Sequence, residues 1–233
     1  MAVTELEKYK AEAERMNAKP GTLEGYDCPI CNNEGIVYIA SEYHGIARID
    51  TVPCSCLKLR HQVVGNRIEN YKAETDWQKR VKDTAVDYIK NGGDKWFFIG
   101  GQVGTGKTLI CSALLNELGD SAEVLRWTDG SKRLKSIDTP QEDIDRYKKA
   151  KLLYIDDLFF SEVTEGDKRL ARELIDYRYE RGLKTIISTE KVMVELKRID
   201  EGTAGRIREK SGIYELNIGR DDKRDYRWRN GKV

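Results

Sequence analysis

The segment 95–108 reads Lys-Trp-Phe-Phe-Ile-Gly-Gly-Gln-Val-Gly-Thr-Gly-Lys-Thr. An apolar run, Trp96–Ile99, leads into Gly101-x-x-x-x-Gly106-Lys107-Thr108 and then into a helical pattern over 107–118. A chain in this strand–loop–helix order must bend backbone N–H groups inward at the positive end of a helix, which makes an anion cradle. Lys107 brings a full charge to the β- and γ-phosphates of a nucleotide, and the Thr108 hydroxyl can hold Mg²⁺. The expected nucleotide contacts are Gly101, Gln102, Val103, Gly104, Thr105, Gly106, Lys107, Thr108 and Leu109. The bland alternative is a glycine turn between a strand and a helix. The preceding apolar strand and the Gly-Lys-Thr ending argue against it.

From this loop onward the pattern alternates. Strands are expected at 95–99, 123–128, 151–155, 184–188 and 213–218. Helices are expected near 107–118, 140–149, 166–181 and 202–210, with a short one at 192–198. Strands alternating with helices imply crossovers and a mostly parallel sheet covered on both faces. The polar segment 129–150 has no firm expectation.

Leu152-Leu153-Tyr154-Ile155-Asp156-Asp157 is an apolar strand ending in two acids. Carboxyl ends of parallel strands face the ligand crevice, so this pair belongs beside the phosphate loop. Asp156 suits the ordering of Mg²⁺ and Asp157 the polarising of an attacking water. The strand Thr185–Glu190 also ends in polar groups, and Ser188 is placed to sense a γ-phosphate. Arg206 or Arg208, on the helix after Asp200, can reach a neighbouring subunit's nucleotide. A guanidinium supplied in trans stabilises charge during phosphoryl transfer.

Cys28-Pro29-Ile30-Cys31 and Cys54-Ser55-Cys56 offer four thiolates, the two pairs 22 residues apart. Cys28, Cys31, Cys54 and Cys56 can close a tetrahedral structural Zn²⁺ site, with His44 and His61 as spare ligands. Free buried cysteines, a redox pair and an iron–sulfur cluster are the alternatives. Thr4–Glu7 has capping-box spacing, and Leu6, Tyr9, Ala13 and Met16 recur at helical intervals. That helix either docks on the cysteine module or serves as a handle for a partner.

The net charge of +1 with 35% charged residues announces no global affinity for nucleic acid. No run approaches a membrane span, and the cysteine pattern suits a reducing, cytoplasmic compartment. Basic residues interleaved with aromatics at 132–135, 146–151 and 223–229 are candidate single-stranded DNA contacts, or simply solvated faces.

The cysteine pairs, the phosphate loop, Tyr154–Leu158, Asp176–Tyr179, Thr185–Glu190 and Asp200–Ile207 occur in that order. Together they resemble the DnaC/DnaI-type replicative helicase loaders, especially the shorter forms of phages and mobile elements. The resemblance covers most of the chain past residue 25. It implies an α/β fold, an AAA+ P-loop NTPase core with a five-stranded parallel sheet in the order 5-1-4-3-2. No C-terminal helical lid is expected, since the chain ends about 15 residues after its last strand. The implied domains are a helicase-gripping zinc module at 1–60, a linker at 61–74 and the ATPase at 75–233. Walker A falls on Gly101–Thr108, Walker B on Asp156–Asp157, sensor 1 on Ser188–Glu190 and the arginine finger on Arg206.

The implied cofactors are ATP or ADP, Mg²⁺ and Zn²⁺. The implied partners are a hexameric replicative helicase, single-stranded DNA and further copies of the chain across ATP sites, with no membrane. The setting would be the cytoplasm, the host's if the gene is a phage's. The implied activity is ATP-dependent loading of the helicase onto single-stranded DNA. An ATP-switched adaptor with little turnover and a transposition-helper ATPase are the alternatives. Two departures stand out. Asp157 replaces the more usual Glu of Walker B, which speaks for weak turnover. Glu190 replaces the usual sensor Asn and, being acidic, is expected to point away from the phosphates.

Overall fold

The computed structural model describes residues 5–22, 31–43, 46–53, 67–118, 122–135, 141–221 and 224–225. The chain divides into two compact units, 1–62 and 63–233.

In the first unit, α1 (Glu5–Asn17) accompanies an antiparallel hairpin of β1 (Ile36–Tyr43) and β2 (Ile46–Pro53). The apolar stripe of α1 buries Ala13 and half-buries Leu6, Tyr9 and Met16. Asn17 ties the helix end to the hairpin. Its Oδ1 accepts the Tyr38 N–H at 2.8 Å while its Nδ2 donates to the Tyr38 carbonyl at 2.8 Å. The helix therefore docks within its own module. Cys31 is buried, and its sulfur accepts the Gly35 N–H at 3.3 Å. Cys28, Cys54, Cys56, His44 and His61 lie outside the described residues, and so does Thr4. Among the described residues no group of three His, Cys, Asp or Glu side chains is placed to hold a metal ion.

The second unit contains, in chain order, α2 (Asp76–Asn91), β3 (Phe97–Gly101), α3 (Lys107–Leu118), β4 (Ala122–Arg126), α4 (Trp127–Leu134), α5 (Gln141–Lys149), β5 (Leu152–Asp156), α6 (Glu165–Glu180), β6 (Lys184–Thr189), α7 (Met193–Ile199), α8 (Glu201–Ser211) and β7 (Glu215–Ile218). The five strands are parallel and ordered β4-β5-β6-β3-β7. Counted from β3 as the first of the sheet, this is 5-1-4-3-2. Strand alternation sends Trp96, Phe98, Leu153, Ile155 and Ile187 into one core layer with Leu170, Leu174, Leu196 and Ile207 of the helices. Phe97 points to the opposite face, its ring 5.3 Å from that of Tyr88 on α2. β3 and β5 are buried at every position, as expected of parallel strands covered on both sides.

Two segments differ from their sequence expectations. The second strand of the sheet stops at Arg126 instead of continuing to 128, and the chain turns at once into α4. The reason is Trp127, which is buried with its ring edge-on to Phe159 at 5.6 Å and so caps the core as the first residue of a helix. The region 67–72, expected to be linker, carries a single 3₁₀ turn (Ile68–Asn70) with Ile68 and Tyr71 buried in the second unit. Lys82 of α2 fastens it by donating to the Tyr71 carbonyl at 3.1 Å. Among the described residues no helix is long and apolar enough to cross a membrane.

Candidate nucleotide site

The carboxyl ends of β3, β5 and β6 converge on a cavity of about 450 Å³. It is lined by Val103–Leu109 of the phosphate loop and the first turn of α3, by Asp157 and Glu190, and by Asn70, Tyr71 and Lys72. The loop thus opens onto a volume of the size that small-molecule sites occupy.

Gly101 and Gln102 lie behind the cavity rather than on it. At Gly101, with φ of 116°, a Cβ would lie 2.0 Å from the Ile218 carbonyl oxygen, so this glycine permits the close approach of β7. The carbonyls of Gly101 and Gln102 accept from Lys107 Nζ at 2.9 and 2.7 Å. Lys107, only 7% exposed, therefore lies folded onto its own loop. α3 begins at Lys107, so its positive end faces the same cavity.

The acids behave differently from one another. Asp156 is 2% exposed and accepts from Tyr154 Oη at 2.5 Å and Ser188 Oγ at 2.8 Å. Asp157 sits in the left-handed region at φ of 55°, where its N–H donates to Ser188 Oγ at 3.1 Å and its side chain reaches the cavity. Burial first and the Asp156 charge second push its carboxyl up to about 6, while Lys107 pulls it down and Glu190 pushes it further up. A non-glycine residue held at such a φ costs about 1–3 kcal/mol, which functional sites tolerate when their surroundings over-determine it.

Ser188 and Glu190 lie otherwise than expected. Ser188 is fully buried and is not among the residues lining the cavity; its hydroxyl is occupied with Asp156, Tyr154 and the Asp157 amide. It holds the two acids in place. Glu190, expected to point away, lines the cavity. The strand ends at Thr189, so the turn that follows, and no longer the strand alternation, sets the direction of the next side chain.

Two contributions had no strong sequence signal. Asn70, Tyr71 and Lys72 form one wall, and their only local hint is the apolar pair Ile68 and Tyr71. The segment after β7 straps the outside of the loop. Gln102 Nε2 donates to the Asp221 carbonyl at 3.0 Å, and the Asp221 N–H donates to Gln102 Oε1 at 2.6 Å. Asp225 packs so closely on Gly104 that a Cβ there would lie 1.9 Å from its Oδ1.

Arg206 projects from α8 with its side chain 37% exposed, paired with Asp176 of α6 at 3.0 Å. Much of the positive charge expected to meet DNA is matched by acids. Lys135 pairs with Asp167, Arg146 with Glu123, Lys148 with Glu173, Lys149 with Asp145 and Arg224 with Asp221. Residues 223 and 226–229 lie outside the described residues.

The five-stranded parallel sheet, with a glycine-rich loop after one strand and an acid pair after another, is a fold shared with solved structures. Among the solved structures the chain is similar to are DnaI, the DnaC helicase loader and DnaA. A crystal structure of DnaI matches with a TM-score of 0.55 at 20% identity, covering 70% of this chain and 93% of that one. A crystal structure of the DnaC helicase loader matches with a TM-score of 0.52 at 21% identity, covering 70% and 97%. AMPPCP-bound DnaA from Aquifex aeolicus matches with a TM-score of 0.57 at 19% identity, covering 72% and 53%. In sequence, the chain is 29% identical over 173 residues to an uncharacterized protein, YqaM, of Bacillus subtilis (strain 168), covering 67% of this chain. It is 29% identical over 158 residues to the phage-like element PBSX protein XkdC of the same organism, covering 59% of this chain. It spans 55% and 59% of those two relatives' lengths. No family model matches the chain.

Proposed function

We propose that this chain is a Mg²⁺-dependent ATPase that loads a ring-shaped replicative DNA helicase onto single-stranded DNA when replication begins. The observation that carries the reading is the single cavity joining the phosphate loop to the Asp157 carboxylate, on the fold that the DnaC and DnaI structures share. Lys107 and the loop N–H groups would bind the phosphates. Thr108, on the cavity lining, would hold Mg²⁺, with Asp156, buried behind the lining, ordering it through water; the ion's charge would offset that of the phosphate oxygens. Asp157 would orient the attacking water. Arg206 would exchange Asp176 for the nucleotide of a neighbouring copy, so that ATP draws copies together.

The cysteine module would be the part that grips the helicase. A structural Zn²⁺ on Cys28, Cys31, Cys54 and Cys56 fits what is seen of Cys31. Its sulfur already accepts a backbone N–H, the kind of contact made by a thiolate that ligates metal. Metal analysis of the purified protein should find one zinc per chain, lost in Cys31→Ser; a metal-free, folded protein would end this part of the proposal.

The main test is co-purification with candidate replicative helicases, with and without ATP, beside phosphate release with and without single-stranded DNA. Retention of a helicase and release stimulated several-fold by DNA are the expected results. Failure to retain any replicative helicase would sink the loader reading. A second reading, an ATP-switched adaptor with little turnover, has a specific observation in its favour. The Asp157 side chain is short and its backbone is pinned by Ser188, which limits its reach to a water. A flat, near-zero release rate alongside ATP-dependent helicase retention would select it.

A further inference from the structure

The sequence puts Gln102 among the phosphate contacts, yet it lies behind the cavity with its hydrogen-bonding groups engaged elsewhere. Its N–H donates to the Ile218 carbonyl at 3.2 Å. Its carbonyl accepts from Lys107 Nζ at 2.7 Å and from Thr105 Oγ1 at 2.9 Å. Its side-chain amide pairs with the Asp221 backbone in both directions, at 3.0 and 2.6 Å. One residue therefore joins the phosphate loop to the segment after β7. That segment is fastened to itself. The Arg224 N–H donates to the Asp221 carbonyl at 2.8 Å, and the Arg224 guanidinium donates to the Gly219 carbonyl at 3.1 Å. Asp225, buried, then returns to the loop at Gly104, whose φ of 72° and lack of a Cβ admit the carboxylate. The loop is thus held at two points by residues that do not line the cavity.

We propose that Gln102 and Asp225 are positioning residues, through which the segment after β7 clasps the phosphate loop in its anion-binding shape and so sets the nucleotide affinity. The proposal rests on the nucleotide-binding reading above and extends it to the control of occupancy. A loop that turns several N–H groups toward one anion loses affinity when that turn is ordered only at the moment of binding; a loop ordered beforehand does not bear this cost. ADP and ATP share the loop, so the clasp serves both alike. Such coupling is reciprocal. A fastened segment favours nucleotide, and bound nucleotide favours the fastened segment. Whatever pulls the segment away then weakens nucleotide binding.

The test is calorimetric titration of the full chain with ADP and with AMPPCP, both with Mg²⁺, for wild type, Gln102→Ala, Asp225→Ala and Asp225→Asn, beside amide hydrogen exchange of each protein with and without nucleotide. Gln102→Ala should weaken both nucleotides about fivefold and to the same degree. Asp225→Ala should weaken them likewise, although losing a carboxylate beside an anion site would by charge alone tighten binding. Asp225→Asn keeps the packing on Gly104 and should not weaken binding. Without nucleotide, exchange over 102–106 should quicken about tenfold in the two alanine variants while the strands keep their protection. Nucleotide should slow exchange over 219–225 in wild type and not in Gln102→Ala, a response that a merely structural contact would leave unmoved. Wild-type affinity in Gln102→Ala, tighter binding by Asp225→Ala, or loop exchange that is unchanged or quickened together with the whole unit would each overturn the proposal. A wild-type protein that binds neither nucleotide would overturn the nucleotide reading itself, and that failure is distinct because it appears before any substitution is made.

Discussion

Lys107→Ala should lose at least 100-fold in ATP affinity while remaining folded. The lysine's Nζ is the formal positive charge among the groups of the loop that would face the phosphates, the others being N–H dipoles. Charge-assisted hydrogen bonds are worth about 1.5–3 kcal/mol each, and a lysine bridging two phosphates makes more than one. Against this stands what the free lysine already has, two bonds to the Gly101 and Gln102 carbonyls. Those are given up when phosphate arrives, so the net loss is smaller than the gross sum. About 2.7 kcal/mol or more survives the exchange, which corresponds to the 100-fold figure. The fold should persist. β3 remains buried between β6 and β7, and Gln102 stays fastened to Asp221. Calorimetric titration with ATP and Mg²⁺, with circular dichroism as the folding control, reads both outcomes. ATP affinity equal to wild type would remove Lys107 from the site and the mechanism with it.

The places of Lys107 at the start of α3 and of Asp156 at the end of β5 could be read from the chain, because short spacing fixes both. The same holds for the strands that deliver them, since five apolar runs alternating with helical patterns leave few other arrangements. The remainder of the site depends on contacts that spacing does not record. Gln102 meets Asp221 across 119 positions, and nothing local to either residue announces it. Tyr71 lies beside a three-residue turn, too short for any periodicity. Glu190 illustrates a different limit. Alternation along β6 would have placed it with Ser188, but the strand ends between them. Ser188 then serves the acids from behind while Glu190 enters the cavity. Its charge suggested that it should point away, and the packing of its turn puts it on the cavity lining. Arg178 was not singled out in the sequence, although its spacing carried a hint of its position. Leu170, Leu174 and Arg178 follow at helical spacing, so the guanidinium had to lie on the buried face of α6.

Arg178→Met should cost about 3–5 kcal/mol of stability, enough to leave the ATPase unit marginal. The guanidinium is wholly buried, and its partners are four carbonyls and a hydroxyl. It donates to Tyr147, Lys148 and Ala150 at 3.0, 3.0 and 2.7 Å, to Lys184 at 2.5 Å, and to Thr185 Oγ1 at 2.9 Å. These acceptors come from the end of α5, the approach to β5 and the start of β6, so one side chain fastens three segments to α6. Burial pushes its ionisation down to about 10, which still leaves it cationic at neutral pH. Two effects oppose each other on replacement. Methionine removes a charge that was costly to bury, and this returns part of the loss. It also strands several buried carbonyl oxygens, at about 1–3 kcal/mol each where no other partner remains. With three segments converging, the second effect wins. Arg178→Lys, with three donors and no planar fork, should fall between wild type and Met. Denaturant unfolding of the full chain, followed by tryptophan fluorescence from the buried Trp96 and Trp127, measures the difference. A loss below about 1 kcal/mol in Arg178→Met would mean that water or backbone rearrangement satisfies these carbonyls, and that the staple described here does not hold the sheet to its helices.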